Sequence, residues 1–247
     1  MIFDLENIWL FLIVLSIVSF LYASVGHGGA SGYLALMALF SLAPLTMKPT
    51  ALLLNVFVSG IAFYHYYRAG HFNKKLFLSF AIASIPMAFI GGLITVDASI
   101  YKKILGVLLI FAILKMLNVI GKESGIVKNV KVWQGLVVGG AIGFFSGLIG
   151  IGGGIILTPI ILLLHWGKMK EAAAVSALFI WVNSVSALIG QYSSGVIITS
   201  DSFILAAIAF TGGFIGSYYG SRKFNNKVLR YLLAIVLVIA SVKLFFV

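Results

Sequence analysis

The sequence predicts an all-α polytopic membrane protein, and three observations support this prediction: an apolar composition, long apolar segments and an internal duplication. Of the 247 residues, 62% are hydrophobic and only 9% are charged, and the mean hydropathy is +1.15. A soluble domain is about half apolar and a quarter charged, so this chain lacks the charge to cover a water-facing surface. Soluble catalysis and nucleic-acid binding are therefore excluded. Because the basic residues lie between apolar segments, the net charge of +11 indicates membrane orientation.

Charge and turn signals divide the chain into ten apolar segments, all of which we predict to be helices. In lipid, only helices or closed barrels satisfy the backbone polar groups, and the alternating polar residues of a barrel are absent. A spanning helix needs about 20 residues, so the length allows roughly eight to ten spans and no soluble domain. The predicted segments are residues 8–25, 30–43, 50–67, 76–95, 104–120, 132–149, 155–165, 172–190, 202–220 and 228–247.

A short charged stretch divides the chain into two halves that resemble each other. A shift of 124 residues places the run that starts at Phe20 over the run that starts at Phe144, and a shift of 125 pairs Tyr67 with Tyr192. Ordered matches of this kind indicate a duplication with about five segments in each copy. We therefore predict three parts: a first transmembrane repeat in residues 1–120, a cytoplasmic linker in residues 121–131 and a second transmembrane repeat in residues 132–247.

The loop charges predict that the second repeat is inverted. The connection after the third segment carries Arg68, Lys74 and Lys75, whereas its counterpart in residues 191–201 carries no Lys or Arg. By the positive-inside rule, equivalent loops then lie on opposite sides of the membrane. This topology places both termini outside the cytoplasm of a multi-pass protein in the cell (inner or plasma) membrane.

Each repeat contains a cluster of glycines, which we call the first glycine knot (residues 26–32) and the second glycine knot (residues 150–154). Glycines allow a sharp turn, and the helix that follows begins with unpaired N–H groups at the positive end of its dipole, which attracts anions. The segments after the knots are too short for a ~30 Å hydrocarbon core, so we expect short broken or re-entrant helices there. The alternative is that glycines serve close helix packing. We predict packing for Gly139, Gly143, Gly147, Gly212, Gly216 and Gly220.

The candidate substrate-binding residues are the knot residues together with polar side chains inside apolar segments. His27 is the only histidine deep in such a segment, and it either assists an anion or a proton or satisfies the turn. The other polar side chains either line a pathway or tie helices together. The set is Gly26, His27, Gly28, Gly29, Ser31, Asn55, Ser59, Gly150, Gly152, Gly153, Gly154, Ser176, Asn183 and Ser184.

No metal, cofactor or catalytic residue is predicted, although proton coupling through His27 stays open. Acidic residues fall at segment ends or in loops, which argues against a cation site. The Gly29-Ala30-Ser31-Gly32 run matches the GxSG pattern of rhomboid intramembrane serine proteases, but a second deep histidine is missing. We therefore expect that the chain is not an enzyme and keep the protease as a remote alternative.

The run Gly143-Phe-Phe-Ser-Gly-Leu-Ile-Gly-Ile-Gly-Gly-Gly154, followed by Thr158-Pro159, resembles the most recognisable motif of the TauE/SafE (TSUP) family of sulfite and organosulfonate exporters. The resemblance covers nearly the whole chain. It implies a secondary transporter of small anions, such as sulfite and sulfoacetate, often moved outwards. We expect alternating access around a midplane site made by both knots. An anion channel or uniporter on the same scaffold and a purely structural subunit are the alternatives. A homo-oligomer is possible, because small-residue faces serve contacts within and between chains.

Overall fold

The computed structural model describes residues 7–40, 42, 44–94 and 127–225, together with the single positions 227, 228, 231, 235 and 238. Within these residues the chain is helical and has no strand. The predicted segment 104–120 and most of segment 228–247 lie outside the described residues, as do residues 121–126 of the predicted linker. The helices are α1 Ile8–Ser24, α2 Ala30–Leu39, α3 Pro44–Arg68, α4 Lys74–Leu93, α5 Val132–Ile149, α6 Gly154–Leu163, α7 Met169–Ser193 and α8 Ser200–Arg222.

The prediction of an all-α polytopic membrane protein is confirmed. Five of the described helices, α3, α4, α5, α7 and α8, are long and apolar enough to cross a membrane. The largest difference from the predicted boundaries is at α3, which begins at Pro44 and not at residue 50. Lys48 therefore lies inside a helix, where its Nζ donates to the carbonyl of Ile94 at 3.3 Å. A charged residue near a helix end can thus extend the helix when its head group finds an acceptor.

The helices before and after each knot form a hairpin. In the first half, the ring of Phe40, directly after α2, contacts the ring of Phe11 near the start of α1, with centroids 5.2 Å apart. In the second half, the N–H of Lys128, before α5, donates to the carbonyl of His165, after α6, at 2.7 Å. The helix after each knot has ten residues, or about 15 Å, as expected for a short broken helix. Each hairpin therefore has both outer ends on one side, and its knot turns inside the protein.

The most extensive helix contacts fall into two groups, which we call the first helix group (α1, α2, α3 and α8) and the second helix group (α4, α5, α6 and α7). Helices α3 and α7, of 25 residues each, pack against one another and join the groups. Each group contains helices from both halves of the sequence. Helix α4, from the first half, packs with helices of the second half, and α8, from the second half, packs with helices of the first. The division into two inverted repeats stays a prediction.

The glycines that we predicted to serve packing lie at the closest helix contacts. A Cβ atom on Gly139, Gly143 or Gly147 of α5 would collide with a backbone carbonyl of α4, and one on Gly212, Gly216 or Gly220 of α8 would collide with a carbonyl of α1. The hydroxyl of Ser19 also donates to the Ala209 carbonyl across the α1–α8 contact, at 2.5 Å. Small residues let helix backbones approach in this way, so the packing prediction is confirmed.

Candidate functional site

The two knots adopt backbone conformations that favour glycine. The φ angles are +78° at Gly26 and +101° at Gly29 in the first knot, and they are +83°, +73° and +81° at Gly150, Gly152 and Gly153 in the second. Other residues pay roughly 1–2 kcal/mol in this left-handed region. All of these glycines are buried. The clustering of glycine is therefore required by the path of the chain.

The knots meet where α3 and α7 cross. A Cβ atom on Gly28 would collide with the amide of Asn55, and one on Gly152 would lie 2.5 Å from Asn55 Nδ2 and 2.7 Å from Ile180 Cγ2. A Cβ on Gly154 would also collide with Ile180. Asn55 and Ile180 lie halfway along α3 and α7, the two longest of the described helices. The structure therefore brings residues of both knots together at the middle of the bundle.

The side chain of Asn55 caps the N-terminus of α2. Its Oδ1 accepts the N–H of Ala30 at 3.0 Å, and its Nδ2 donates to Ser184 Oγ on α7 at 3.3 Å. Ser59 Oγ donates to the Asn55 carbonyl at 2.6 Å, so this candidate satisfies the backbone of its own helix. Asn55 and Ser184 thus form a polar bridge between the two helix groups, and one helix-start donor of α2 is already occupied.

His27 connects the first knot to α6. Its Nε2 lies 3.0 Å from the carbonyl oxygen of Gly154 and 2.9 Å from Thr158 Oγ1, and Thr158 donates to Ser176 Oγ at 2.7 Å. A carbonyl oxygen only accepts, so the ring proton lies on Nε2 in the neutral imidazole. The Nδ1 atom is buried and has no hydrogen-bond partner among the described residues. Protonation at this atom would add a second donor.

The beginning of α6 differs from that of α2. Ile180, at the position that corresponds to Asn55 under the shift of 125, has an apolar side chain and accepts no hydrogen bond. No acceptor among the described residues bonds to the N–H of Gly154 or of Ile155. The first turn of α6 therefore presents free donors at the middle of the bundle, where the helix dipole is positive.

The remaining candidates divide into two kinds. Ser31 Oγ lies 2.7 Å from the hydroxyl of Tyr22, and no hydrogen bond of the described residues joins Ser31 to a histidine. Asn183 is fully buried, and neither its Nδ2 nor its Oδ1 has a partner among the described residues. Ser31 is thus part of the α1–α2 contact, whereas Asn183 keeps its hydrogen-bonding capacity.

Sequence reasoning missed Thr158 and Ser146 as site residues. Thr158 lies four residues after Gly154, so both share one face of α6, and this spacing could have identified it. Ser146 lies four residues before Gly150, and its Cβ would be 3.4 Å from a Cβ on Gly153. Both hydroxyls therefore lie beside the second knot.

An open pocket of about 800 Å³ lies at the N-terminal ends of α4 and α7. Inside it, Asn73 Nδ2 donates to Glu171 Oε1 at 2.5 Å, and Lys170 Nζ donates to the Ser221 carbonyl at 3.1 Å. Three lysines and one glutamate line the pocket, which gives it a positive balance. Its lining residues are Gly70, His71, Phe72, Asn73, Lys74, Lys168, Lys170, Glu171, Phe224 and Asn225.

Spanning helices, two short broken helices and a buried polar centre between two helix groups define a multi-pass membrane transporter. Residues 10–244 match the model of the sulfite exporter TauE/SafE family, and the chain belongs to this family. The family resemblance of the motif between Gly143 and Pro159 is thereby confirmed.

Three similar proteins carry transporter names and match over most of their length. The probable membrane transporter protein y4hK of Sinorhizobium fredii is 36% identical over 233 residues, which cover 92% of this chain and 94% of that protein. The probable membrane transporter protein MJ0441 of Methanocaldococcus jannaschii is 26% identical, covering 74% of this chain and 72% of that protein. The probable membrane transporter protein ORF9 of a Sinorhizobium species is 27% identical, with 95% and 91% covered. No solved structure matches the chain significantly.

Proposed function

We propose that this protein is a secondary transporter that exports a small sulfur oxyanion, such as sulfite or an organosulfonate, across the cell membrane. The family supplies the substrate class. The observation that carries the proposal is the meeting of both glycine knots between the two helix groups, at the middle of α3 and α7. In transporters built from broken helices, substrate sites lie at such places.

The anion is held mainly by neutral donors. The N–H groups of Gly154 and Ile155, at the positive end of α6, have no acceptor among the described residues, and His27 lies beside Gly154. Hydrogen bonds to a charged acceptor are about twice as strong as those between neutral groups. Among the described residues no hydrogen bond joins a lysine or arginine to the first turn of α6, and Lys48, whose side chain lies against Gly150, donates its Nζ to the Ile94 carbonyl. Neutral donors bind an anion weakly enough to permit its release on the other side.

Alternating access takes place by rocking of the two helix groups about the α3–α7 contact. The bonds from His27 to Gly154 and Thr158, and from Asn55 to Ser184, run from one group to the other. Relative movement of the groups must break or exchange these bonds, so substrate binding and the conformational change share the same residues. The moving bodies would then differ from the two halves of the sequence.

The lysine-lined pocket is the entrance on the cytoplasmic side. Lys74, Lys168 and Lys170 concentrate anions near the ends of α4 and α7. This assignment agrees with the positive-inside prediction, in which both termini lie outside the cytoplasm. Export then begins at the pocket and proceeds to the knots.

The test is anion-dependent stabilisation of the detergent-purified protein, followed by transport in vesicles. Sulfite, sulfate, thiosulfate and sulfoacetate are compared with chloride. A ligand at one hundred times its dissociation constant stabilises the folded state by about 2.7 kcal/mol. We expect a selective shift in wild type and in Gly195→Leu, where no atom of the described residues lies within 4 Å of the Cβ position. Gly153→Leu, at the second knot, should lose the shift. No shift with any anion in wild type would contradict the proposal.

A channel or uniporter on this scaffold is distinguished by counter-flow. A carrier shows trans-stimulation, because unlabelled substrate on the far side speeds the return of the binding site. An open pore does not. Flux of labelled sulfite with and without internal sulfite therefore decides between them.

A further inference from the structure

Three buried polar side chains in the second half have hydrogen-bonding groups without partners. Ser146 and Asn183 are fully buried, and Gln191 is 3% exposed. The Ser146 hydroxyl and both polar atoms of each amide have no hydrogen-bond partner among the described residues. Burying such groups unpaired is costly, so these three residues are candidates for binding a ligand.

The corresponding positions of the first half are occupied differently. The shift of 124 pairs Ser146 with Tyr22, and the shift of 125 pairs Asn183 with Val58 and Gln191 with Tyr66. Tyr22 contacts Ser31 Oγ at 2.7 Å, and Tyr66 donates to the Ser24 carbonyl at 2.7 Å. Val58 is apolar and buried. Under the predicted duplication, the counterparts of the three unpaired polar residues are thus two hydrogen-bonded tyrosines and a valine.

The three residues follow one another from the second knot towards the end of α7. Ser146 and Phe179 both flank Gly153, where a Cβ would lie 3.4 Å from Ser146 Cβ and 2.9 Å from Phe179 Cε1. Asn183 is one turn beyond Phe179 on the same face of α7. Gln191 lies eight residues further, near the end of the helix, and is rotated by about 80° from Asn183 around the helix axis. The lysine-lined pocket is at the opposite end of α7.

We propose that Ser146, Asn183 and Gln191 form a polar track that carries the oxyanion between the second knot and the C-terminal end of α7. The inference rests on the proposed function, and it assigns the part of the substrate pathway that lies beyond the knots, on the side away from the lysine-lined pocket. Hydroxyl and amide donors replace water around the anion and add no fixed charge that would retain it. The route therefore lies in the second half of the protein, whereas the hydroxyls of the counterparts Tyr22 and Tyr66 are hydrogen-bonded within the first half.

The test compares the polar track with its counterparts in the first half. Asn183→Val introduces the residue found at the counterpart position, and Gln191→Leu and Ser146→Ala remove the other polar groups. Tyr66→Phe is the matched control, because it removes a bonded hydroxyl from the counterpart of Gln191. Sulfite flux in vesicles, the sulfite-induced shift in melting temperature and the melting temperature itself are measured for each variant.

We expect Asn183→Val and Ser146→Ala to lower sulfite flux at least tenfold and to weaken the sulfite-induced shift. Gln191→Leu should lower flux and keep the shift, because it lies beyond the binding site. Each of these variants should melt at the wild-type temperature or higher, because an unpaired buried polar group is removed. Tyr66→Phe should melt at a lower temperature and transport normally.

Three results would overturn the inference. Normal flux in all three track variants, with a transporting wild type, would contradict the track alone and leave the proposed function intact. Lower melting temperatures with normal flux would assign these residues to structure. A wild type that binds and moves no oxyanion would contradict the proposed function and the track together.

Discussion

Replacing Gly152 by alanine tests the meeting point of the knots most directly, because Gly195 provides a matched control. Both glycines have left-handed backbones, with φ of +73° and +82°, so an alanine costs roughly 1–2 kcal/mol at either position. At Gly195 no atom of the described part of the chain lies within 4 Å of the new Cβ. At Gly152 it lies 2.5 Å from Asn55 Nδ2 and 2.7 Å from Ile180 Cγ2.

Relieving the close contacts of a Cβ atom at Gly152 requires the loss of hydrogen bonds. The Asn55 amide is held by Ala30 on one side and Ser184 on the other, so moving it breaks hydrogen bonds. Overpacking of this kind costs about 1–3 kcal/mol beyond the backbone strain. We therefore expect Gly152→Ala to be less stable than Gly195→Ala by that amount.

The assay is thermal unfolding of both variants in the same detergent, with and without sulfite. For a chain of this size, 1 kcal/mol corresponds to roughly 2–4 °C, so the two melting temperatures should differ by about 2–12 °C. Gly152→Ala should also lose the sulfite-induced shift that Gly195→Ala retains. Equal melting temperatures would refute the packing of the second knot against Asn55 and Ile180.

Three further predictions concern other parts of the molecule. Gly139→Ala should lower the unfolding free energy by about 1–3 kcal/mol, because its Cβ would collide with α4. Gly140→Ala, whose Cβ would lie 3.6 Å from its nearest neighbour, should raise the unfolding free energy by up to about 1 kcal/mol. Thermal unfolding of the two variants checks this. Binding of sulfate, which stays fully ionised as the pH falls whereas sulfite takes up a proton, should strengthen at lower pH, because protonated His27 gains a donor at Nδ1. An unchanged pH profile in His27→Gln would exclude this role. The double variant Lys168→Gln and Lys170→Gln should slow the uptake of sulfite from the pocket side and reduce the salt dependence of this uptake. A salt dependence equal to that of wild type would exclude electrostatic steering by these lysines.

The helices were predictable because their signals are local. Runs of apolar residues between charges placed α5 at its observed bounds, residues 132–149, and the four-residue spacing of Gly139, Gly143 and Gly147 indicated one packed face. The start of α3 was not predictable in this way. Lys48 resembles a loop residue in the sequence, and its acceptor, the Ile94 carbonyl, lies 46 residues away.

The partners within the candidate site could not be predicted, since they are distant in the chain. His27 and Thr158 are 131 residues apart, and Asn55 and Ser184 are 129 apart, so only the folded chain shows which groups are paired. Comparing the two halves of the sequence located both glycine knots. It did not show that a side chain accepts a hydrogen bond from the first turn of α2 but not from that of α6. That difference depends on single substitutions, such as Asn55 in α3 against Ile180 in α7.

The contact between α1 and α8 also bears on the biosynthesis of the protein. Ser19 and its acceptor Ala209 are 190 residues apart. At a synthesis rate of about 5–20 residues per second, α1 is complete roughly 10–40 s before Ala209 is added. During that interval the surface of α1 that later receives Gly212, Gly216 and Gly220 faces lipid or the insertion machinery. Chains that terminate before α8 would leave α1 without this partner, as a ready substrate for membrane quality-control proteases.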